Sequence, residues 1–216
     1  MINLIQEYLA RIIVLFVAIT IHECAHGYVA YKLGDPTAKY SGRLTLNPMA
    51  HFDPIGALCM VLFKFGWAKP VPINPMYFRD RKKGSALTAL AGPLSNIVLA
   101  FVSTIFAALY YSFILAKFPG ILTGFIFTVF VQLAHVNISF AIFNLIPFPP
   151  LDGSKILGMF LSYQNYNKLL QYERFGFPIL MILSFTGILG TILGFFITPL
   201  YNLWYMAFTG LVSILM

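Results

Sequence analysis

Acidic residues are nearly missing from this sequence: seven Asp and Glu stand among 216 residues, and charged residues of both signs make up only 10%. Soluble domains carry about a quarter charged residues, so an ordinary water-facing surface is excluded. Cysteine is scarce as well. Cys24 and Cys59 both lie inside apolar stretches, which argues against a disulfide framework and leaves the compartment open. Cys24 reads as a small buried residue rather than a ligand. No soluble linker, low-complexity tract or clear internal repeat divides the chain. No small-residue cleavage site with a basic leader precedes the first apolar run, so that run is expected to stay in the mature protein.

Apolar residues fill the sequence instead, at 59%, with a mean hydropathy of +0.82. That composition belongs to an integral membrane protein. The expected fold is membrane all-α: one integral membrane domain over residues 1–216, a polytopic bundle of about five or six transmembrane helices. Its core is expected over about 4–160 and its C-terminal helices over about 170–216. A net charge of +7 suits nucleic acid in a soluble chain. In a membrane chain, basic loops on the cytoplasmic side account for it, and no nucleic-acid partner is expected.

Within the first apolar run, positions 21–27 read I-H-E-C-A-H-G. On a helix His22 and His26 project from one face, one turn apart, with Glu23 beside them. The frequencies of His and Glu here give about one chance match to this pattern per thousand such chains. Zn²⁺ takes imidazole nitrogen readily, needs three protein ligands for catalysis and keeps a fourth position for water. A carboxylate alongside can take that water's proton. The plainer reading is a pair of hydrogen-bonding histidines with a buried glutamate, but ionisable groups this deep in lipid mark function.

The first helix is expected from about Leu4 to Leu33, closed by Gly34, Asp35 and Pro36. Its His pair then lies about 9 to 15 Å below Lys32, inside the bilayer and nearer one face. Residues 37–47, T-A-K-Y-S-G-R-L-T-L-N, alternate like a small membrane-associated β-hairpin turning at Ser41 and Gly42, or form an interfacial loop. In the hairpin reading, Tyr40 to Leu46 offers an edge for pairing with an opened substrate segment. Asp53 to Phe65 is apolar but too short to span, hence a re-entrant or interfacial segment. The three prolines between Gly66 and Pro75 favour extended chain. Further spans are expected from Ser85 to about Ala116, with a small-residue patch at Ala91 to Asn96 that either serves packing alone or helps shape the cavity, and from Ile121 to about Ile146, with His135 and Asn137 in polar interhelical contacts. N-L-I-P-F-P-P-L-D-G at 144–153 breaks that helix at membrane depth, which lipid tolerates only beside a water-filled cavity. The run from about Phe175 to Met216 allows one span with a surface tail or a two-span hairpin.

H-E-C-A-H at 22–26, with N-x-x-P at 144–147 and L-D-G at 151–153, resembles the site-2 protease family of intramembrane zinc metalloproteases, peptidase family M50. G-R-L-T-L-N-P from Gly42, A-H-F-D-P-I-G from Ala50, G-W-A-K-P-V-P from Gly66 and A-G-P-L-S-N from Ala91 look like its small prokaryotic branch, without PDZ or nucleotide-sensing CBS domains. The resemblance covers about Ile12 to Lys155. It implies one Zn²⁺ per chain held by His22, His26 and Asp152, with Glu23 as general base and Asn144 near the substrate carbonyl. From the residues alone, Asp152 is equally an N-cap for the helix that follows, and Asn144 either an oxyanion donor or a cap for freed backbone. His51 reads as structural, with a supporting or substrate-binding role open.

The function expected on these grounds is hydrolysis of peptide bonds in or near transmembrane segments of membrane proteins. The substrate is then a membrane protein met in the lipid bilayer, and a separate regulatory protein is expected to select it. A zinc transporter or metal-dependent receptor is the alternative, and it leaves Glu23 without a purpose. Twelve of the fourteen Lys and Arg fall on one side of the expected spans, with Arg11 and Lys117 near the other. The positive-inside rule then puts the N-terminus outside a multi-pass cell-membrane protein and the metal site nearer the cytoplasmic face.

Overall fold

The computed structural model describes residues 2–56, 59 and 66–215. Its helices are α1 (Ile2–Lys32), α2 (Thr37–Tyr40), α3 (Arg81–Tyr110), α4 (Ile121–Leu145), α5 (Asp152–Gly158), α6 (Tyr163–Gln171), α7 (Glu173–Phe185) and α8 (Ile188–Leu215). A five-residue π turn, Tyr111–Leu115, prolongs α3. Among the described residues four helices are long and apolar enough to cross a membrane: Ile5–Lys32, Arg81–Leu115, Ile121–Leu145 and Ile188–Leu215. That is fewer than the five or six expected. Residues 33–80 supply no long helix among those described, and α7, at 13 residues or about 20 Å, is too short to span.

α3 is the central post, packed against α1, α4, α5 and α8. Its buried face is built of small residues, among them Ser85, Ala89, Gly92, Asn96, Ala100, Ser103 and Ala107. Spacings of three and four put them on one stripe, and their size lets backbones approach closely where lipid offers no hydrophobic drive. α8 closes on this post through Trp204, whose Nε1 donates to Thr104 Oγ1.

The expected hairpin at 37–47 is not there; no strand occurs among the described residues. Thr37–Tyr40 is a helical turn, and Gly42, at φ +65°, ends it. Arg43 N donates to the Ala38 carbonyl at 2.8 Å and Gly42 N to that of Lys39 at 3.1 Å, the paired bonds of a Schellman cap. The glycine read as a hairpin turn is thus a helix stop. The pairing edge expected over Tyr40 to Leu46 goes with it. Gly34, at φ +102°, ends α1 in the same way, with Asp35 N bonded to the Ala30 carbonyl at 2.9 Å. The re-entrant segment expected over Asp53 to Phe65 falls largely on 57–58 and 60–65, outside the described residues.

Beyond that gap the chain runs extended and is tied to the residues that follow α1. Buried Asp35 accepts from Thr37 N at 3.0 Å and Asn74 N at 2.6 Å. Lys69 N donates to the His51 carbonyl at 3.0 Å, and Arg43 Nη2 to the Lys69 carbonyl at 2.7 Å. Together with Val71 N, which donates to Glu23 Oε2, these bonds hold residues 69–74 beside the half of α1 that carries the His pair.

Candidate metal centre

α1 places His22 and His26 one turn apart, facing α3, and both rings are buried. Their Nε2 atoms lie 3.0 Å apart, and each is 3.2 Å from Asp152 Oδ2. Asp152 is the first residue of α5, and the residue that precedes the helix, Leu151, makes no side-chain cap. The carboxylate is therefore turned to the histidines rather than spent on the helix end. Gly153 makes this possible. A Cβ there would collide with the carbonyl oxygens of Leu145 and Ile146, so only glycine lets α5 start against the broken end of α4. Gly92 on α3 is equally constrained, since a Cβ would meet the rings of both histidines.

A relay of amides fixes the ring tautomers. Asn137 Nδ2 donates to the Leu133 carbonyl at 2.7 Å; Asn96 Nδ2 donates to Asn137 Oδ1 at 2.6 Å and to the Ala18 carbonyl at 3.2 Å. Both amide protons of Asn96 are thereby used, so its Oδ1 accepts from His22 Nδ1 at 2.6 Å. His26 Nδ1 donates to the Thr88 carbonyl at 2.7 Å. With the protons on Nδ1, both Nε2 atoms present lone pairs to each other and to Asp152 Oδ2, a buried atom with no hydrogen-bond partner. Three acceptors facing one another without a proton repel unless a cation sits among them. His22, His26 and Asp152 form a group able to hold a metal ion. Tetrahedral Zn²⁺ with bonds of about 2.0–2.2 Å sets its ligands roughly 3.3–3.6 Å apart, close to the spacing seen, so the residues fit zinc.

The group opens on a cavity of about 370 Å³ that Glu23, Asn144, Lys155 and Tyr166 also line. Glu23 Oε2 accepts from Val71 N at 2.8 Å, tying the carboxylate to the extended segment. Asn144, in the last turn of α4, donates one amide N–H to the Phe140 carbonyl at 3.0 Å and keeps the other. Burial, with Glu173 adding to it, pushes the Tyr166 phenol up, so the hydroxyl stays protonated.

The structure thus brings His22, Glu23, His26, Asn144 and Asp152 to one cavity. His51 lies apart from it, with Nε2 donating to the Thr45 carbonyl at 2.9 Å. His135 departs from the polar contact expected of it: it packs on the rings of Tyr201 and Trp204, each 4.3 Å away, and its Nε2 is buried without a partner. Cys24 is a half-buried free thiol outside the metal group. Sequence reasoning missed the orienting work of Asn96 and of the Thr88 carbonyl; the A-G-P-L-S-N stretch, open between packing and shaping the cavity, was the available signal for Asn96.

The family model described as peptidase family M50 matches residues 10–187. The chain belongs to this family. The M50 match takes in all five of these site residues and stops where α8 begins. The peptidase is 39% identical over 208 residues to "Putative zinc metalloprotease YwhC" of Bacillus subtilis, covering 94% of this chain and 88% of that one. It is 28% identical over 204 residues to "Putative zinc metalloprotease Rip2" of Mycolicibacterium smegmatis, covering 92% and 73%. It is 29% identical over 150 residues to "Zinc metalloprotease MJ0392" of Methanocaldococcus jannaschii, covering 69% and 34%. No solved structure matches it.

Proposed function

We propose that this M50 peptidase cuts peptide bonds in or beside transmembrane segments of other membrane proteins, with His22, His26 and Asp152 holding one Zn²⁺ and Glu23 and Asn144 acting on the reacting groups. The observation that carries the reading is the convergence of three proton-free acceptors with a second, separate carboxylate in one polar cavity within a bundle of apolar helices. When bound, the zinc supplies Lewis-acid polarisation of the scissile carbonyl and makes a water in the site more acidic.

The rest falls to the chain. Glu23 takes the proton of the attacking water and returns it to the leaving amine, the shuttle of a positioned general base. Val71 N holds that carboxylate in place. Asn144 offers its second amide N–H to the oxygen on which negative charge develops. Asn96 and Thr88 keep both Nε2 lone pairs on the metal side, and the apolar bundle limits water to the cavity. A transporter using the same three ligands would have no use for Glu23.

Topology follows the charges. Gln6 Nε2 donates to the Ile121 carbonyl at 3.4 Å, which supports a common end for the starts of α1 and α4. The basic loops gather at the opposite end, so we place that end, and the metal site near it, on the cytoplasmic side. The whole chain then forms one catalytic membrane domain. Purified protein in lipid vesicles, given a transmembrane peptide library, should release fragments in a zinc-dependent way. Removal of zinc by a chelator should stop release, and added Zn²⁺ should restore it; release indifferent to the chelator would sink the reading.

A further inference from the structure

Asp152 opens α5, and Lys155 follows it three residues on. Side chains three apart on a helix share a face, so Lys155 stands on the Asp152 side of α5, roughly 4.5 Å further along its axis. It lines the same cavity as the metal group. Gly158, three residues further again, lies against the ring of Tyr166, where a Cβ would collide. That contact sets the phenol, also part of the cavity wall, beside the end of α5.

Lys155 is unlike the other cations of the chain. Of the described Lys and Arg, all are exposed but Arg43, Lys82 and Lys155. Arg43 donates to the Lys69 carbonyl and Lys82 to the Leu161 carbonyl. Lys155 makes neither a hydrogen bond nor an ion pair, and the ion pairs of the described residues both join Asp152 to the histidines. The cavity's own carboxylates therefore do not serve it. The Tyr166 hydroxyl is without a hydrogen bond as well. His22 and His26 are neutral with their lone pairs toward the metal, so one Zn²⁺ balances Asp152 and Glu23. Lys155 is then a surplus positive charge in a cleft between apolar helices, where low-dielectric walls strengthen its field on whatever enters. A partly buried charge with no counter-ion costs free energy, and an anion that arrives with the ligand removes that cost.

We propose that Lys155 determines specificity in this cavity: its ammonium binds an acidic side chain, Asp or Glu, that the substrate carries within about three residues of the scissile bond, and the Tyr166 hydroxyl donates to the same carboxylate. The proposal rests on the peptidase reading, in which the substrate chain crosses the cavity at Glu23. Extended chain advances about 3.3 Å per residue, so the offset from Asp152 to Lys155 is spanned in one or two residues and the lysine side chain reaches beyond. The charges usual at the cytoplasmic ends of transmembrane segments are Lys and Arg, which Lys155 repels. An acid close to the bond thus separates one segment from the many. A phospholipid phosphate offers the same charge, but its acyl chains are ill matched to a wall that includes Ser85, Thr88 and Asn144.

Binding and cleavage are tested separately. Leu/Ala transmembrane peptides carrying one Glu, Gln or Lys, scanned position by position, are titrated by fluorescence onto zinc-loaded Glu23→Gln protein in phosphatidylcholine vesicles. At the best position the Glu peptide should bind about tenfold tighter than its Gln counterpart. Adding Lys155→Met should shrink that gap to less than threefold with zinc retained, and adding Lys155→Glu should turn the preference toward the Lys peptide. Equal binding of Glu and Gln peptides at every position overturns the proposal, as does a gap that survives Lys155→Met. Loss of zinc in both Lys155 variants also overturns it, because the residue would then support the metal group itself. So does a gap that vanishes in phosphatidylglycerol vesicles, where a lipid phosphate would be the occupant. The unsubstituted protein is then assayed for cleavage of the same peptides. Failure to cut any of them counts against the peptidase reading, while the binding arm decides on Lys155.

Discussion

His22 and Glu23 are neighbours in sequence, yet their chemistry differs because of what lies behind each. His22 has Asn96 at its back, so its free lone pair points at Asp152, whereas Glu23 is tied to Val71 N and stays outside the metal group. Asn96→Leu keeps the size and removes the acceptor for His22 Nδ1. Zinc affinity should fall about 10- to 100-fold, the usual cost of losing a group that orients a ligand, as read by competition with a chelator; affinity equal to the parent's would contradict the relay. His22→Ala and Asp152→Ala each remove one of three ligands, so the purified proteins should contain little zinc. The His pair and Glu23 were legible from helical period alone. Asp152 was not, because a carboxylate after a proline-broken helix is equally a cap, and only the resemblance favoured it. The Asn96 relay was hidden because it joins α1, α3 and α4 across distances in sequence that no local pattern encodes.

Elements depend on glycines of two different kinds. At Gly153 the constraint is space, since a Cβ would strike the carbonyls of Leu145 and Ile146. Gly153→Ala should therefore shift α5 and Asp152 with it, lowering both zinc content and thermal stability. At Gly42 the constraint is φ alone, with nothing within 4 Å of a Cβ. Gly42→Ala should cost about 1 kcal/mol of stability and leave zinc content unchanged; a loss of zinc there would show that the cap does more than end α2. The same Gly42 explains the misread hairpin, because a positive-φ glycine serves a turn and a Schellman cap alike. The long apolar runs gave α1, α3 and α4 to within a few residues, since periodicity and length suffice in lipid. The last run was ambiguous, and the structure resolves it into a short α7 and a long α8 on either side of Gly187, at φ +75°.

At the scale of the whole molecule, the proposed topology has four crossings that return the chain to the side on which it began, with the basic loops at the other end. A single cysteine replacing Arg81, on a background lacking Cys24 and Cys59, should react with an impermeant maleimide in inside-out vesicles and not in intact cells; the reverse pattern would invert the topology. On the proposed mechanism three ligands hold the metal and one carboxylate moves the proton. The most direct test is Glu23→Gln, which preserves side-chain size and leaves His22, His26 and Asp152 in place. The purified variant should retain one zinc per chain while cleavage of a transmembrane peptide drops by roughly 10²- to 10⁴-fold, the contribution of a positioned general base. Cleavage at the parent rate with zinc bound would contradict the account.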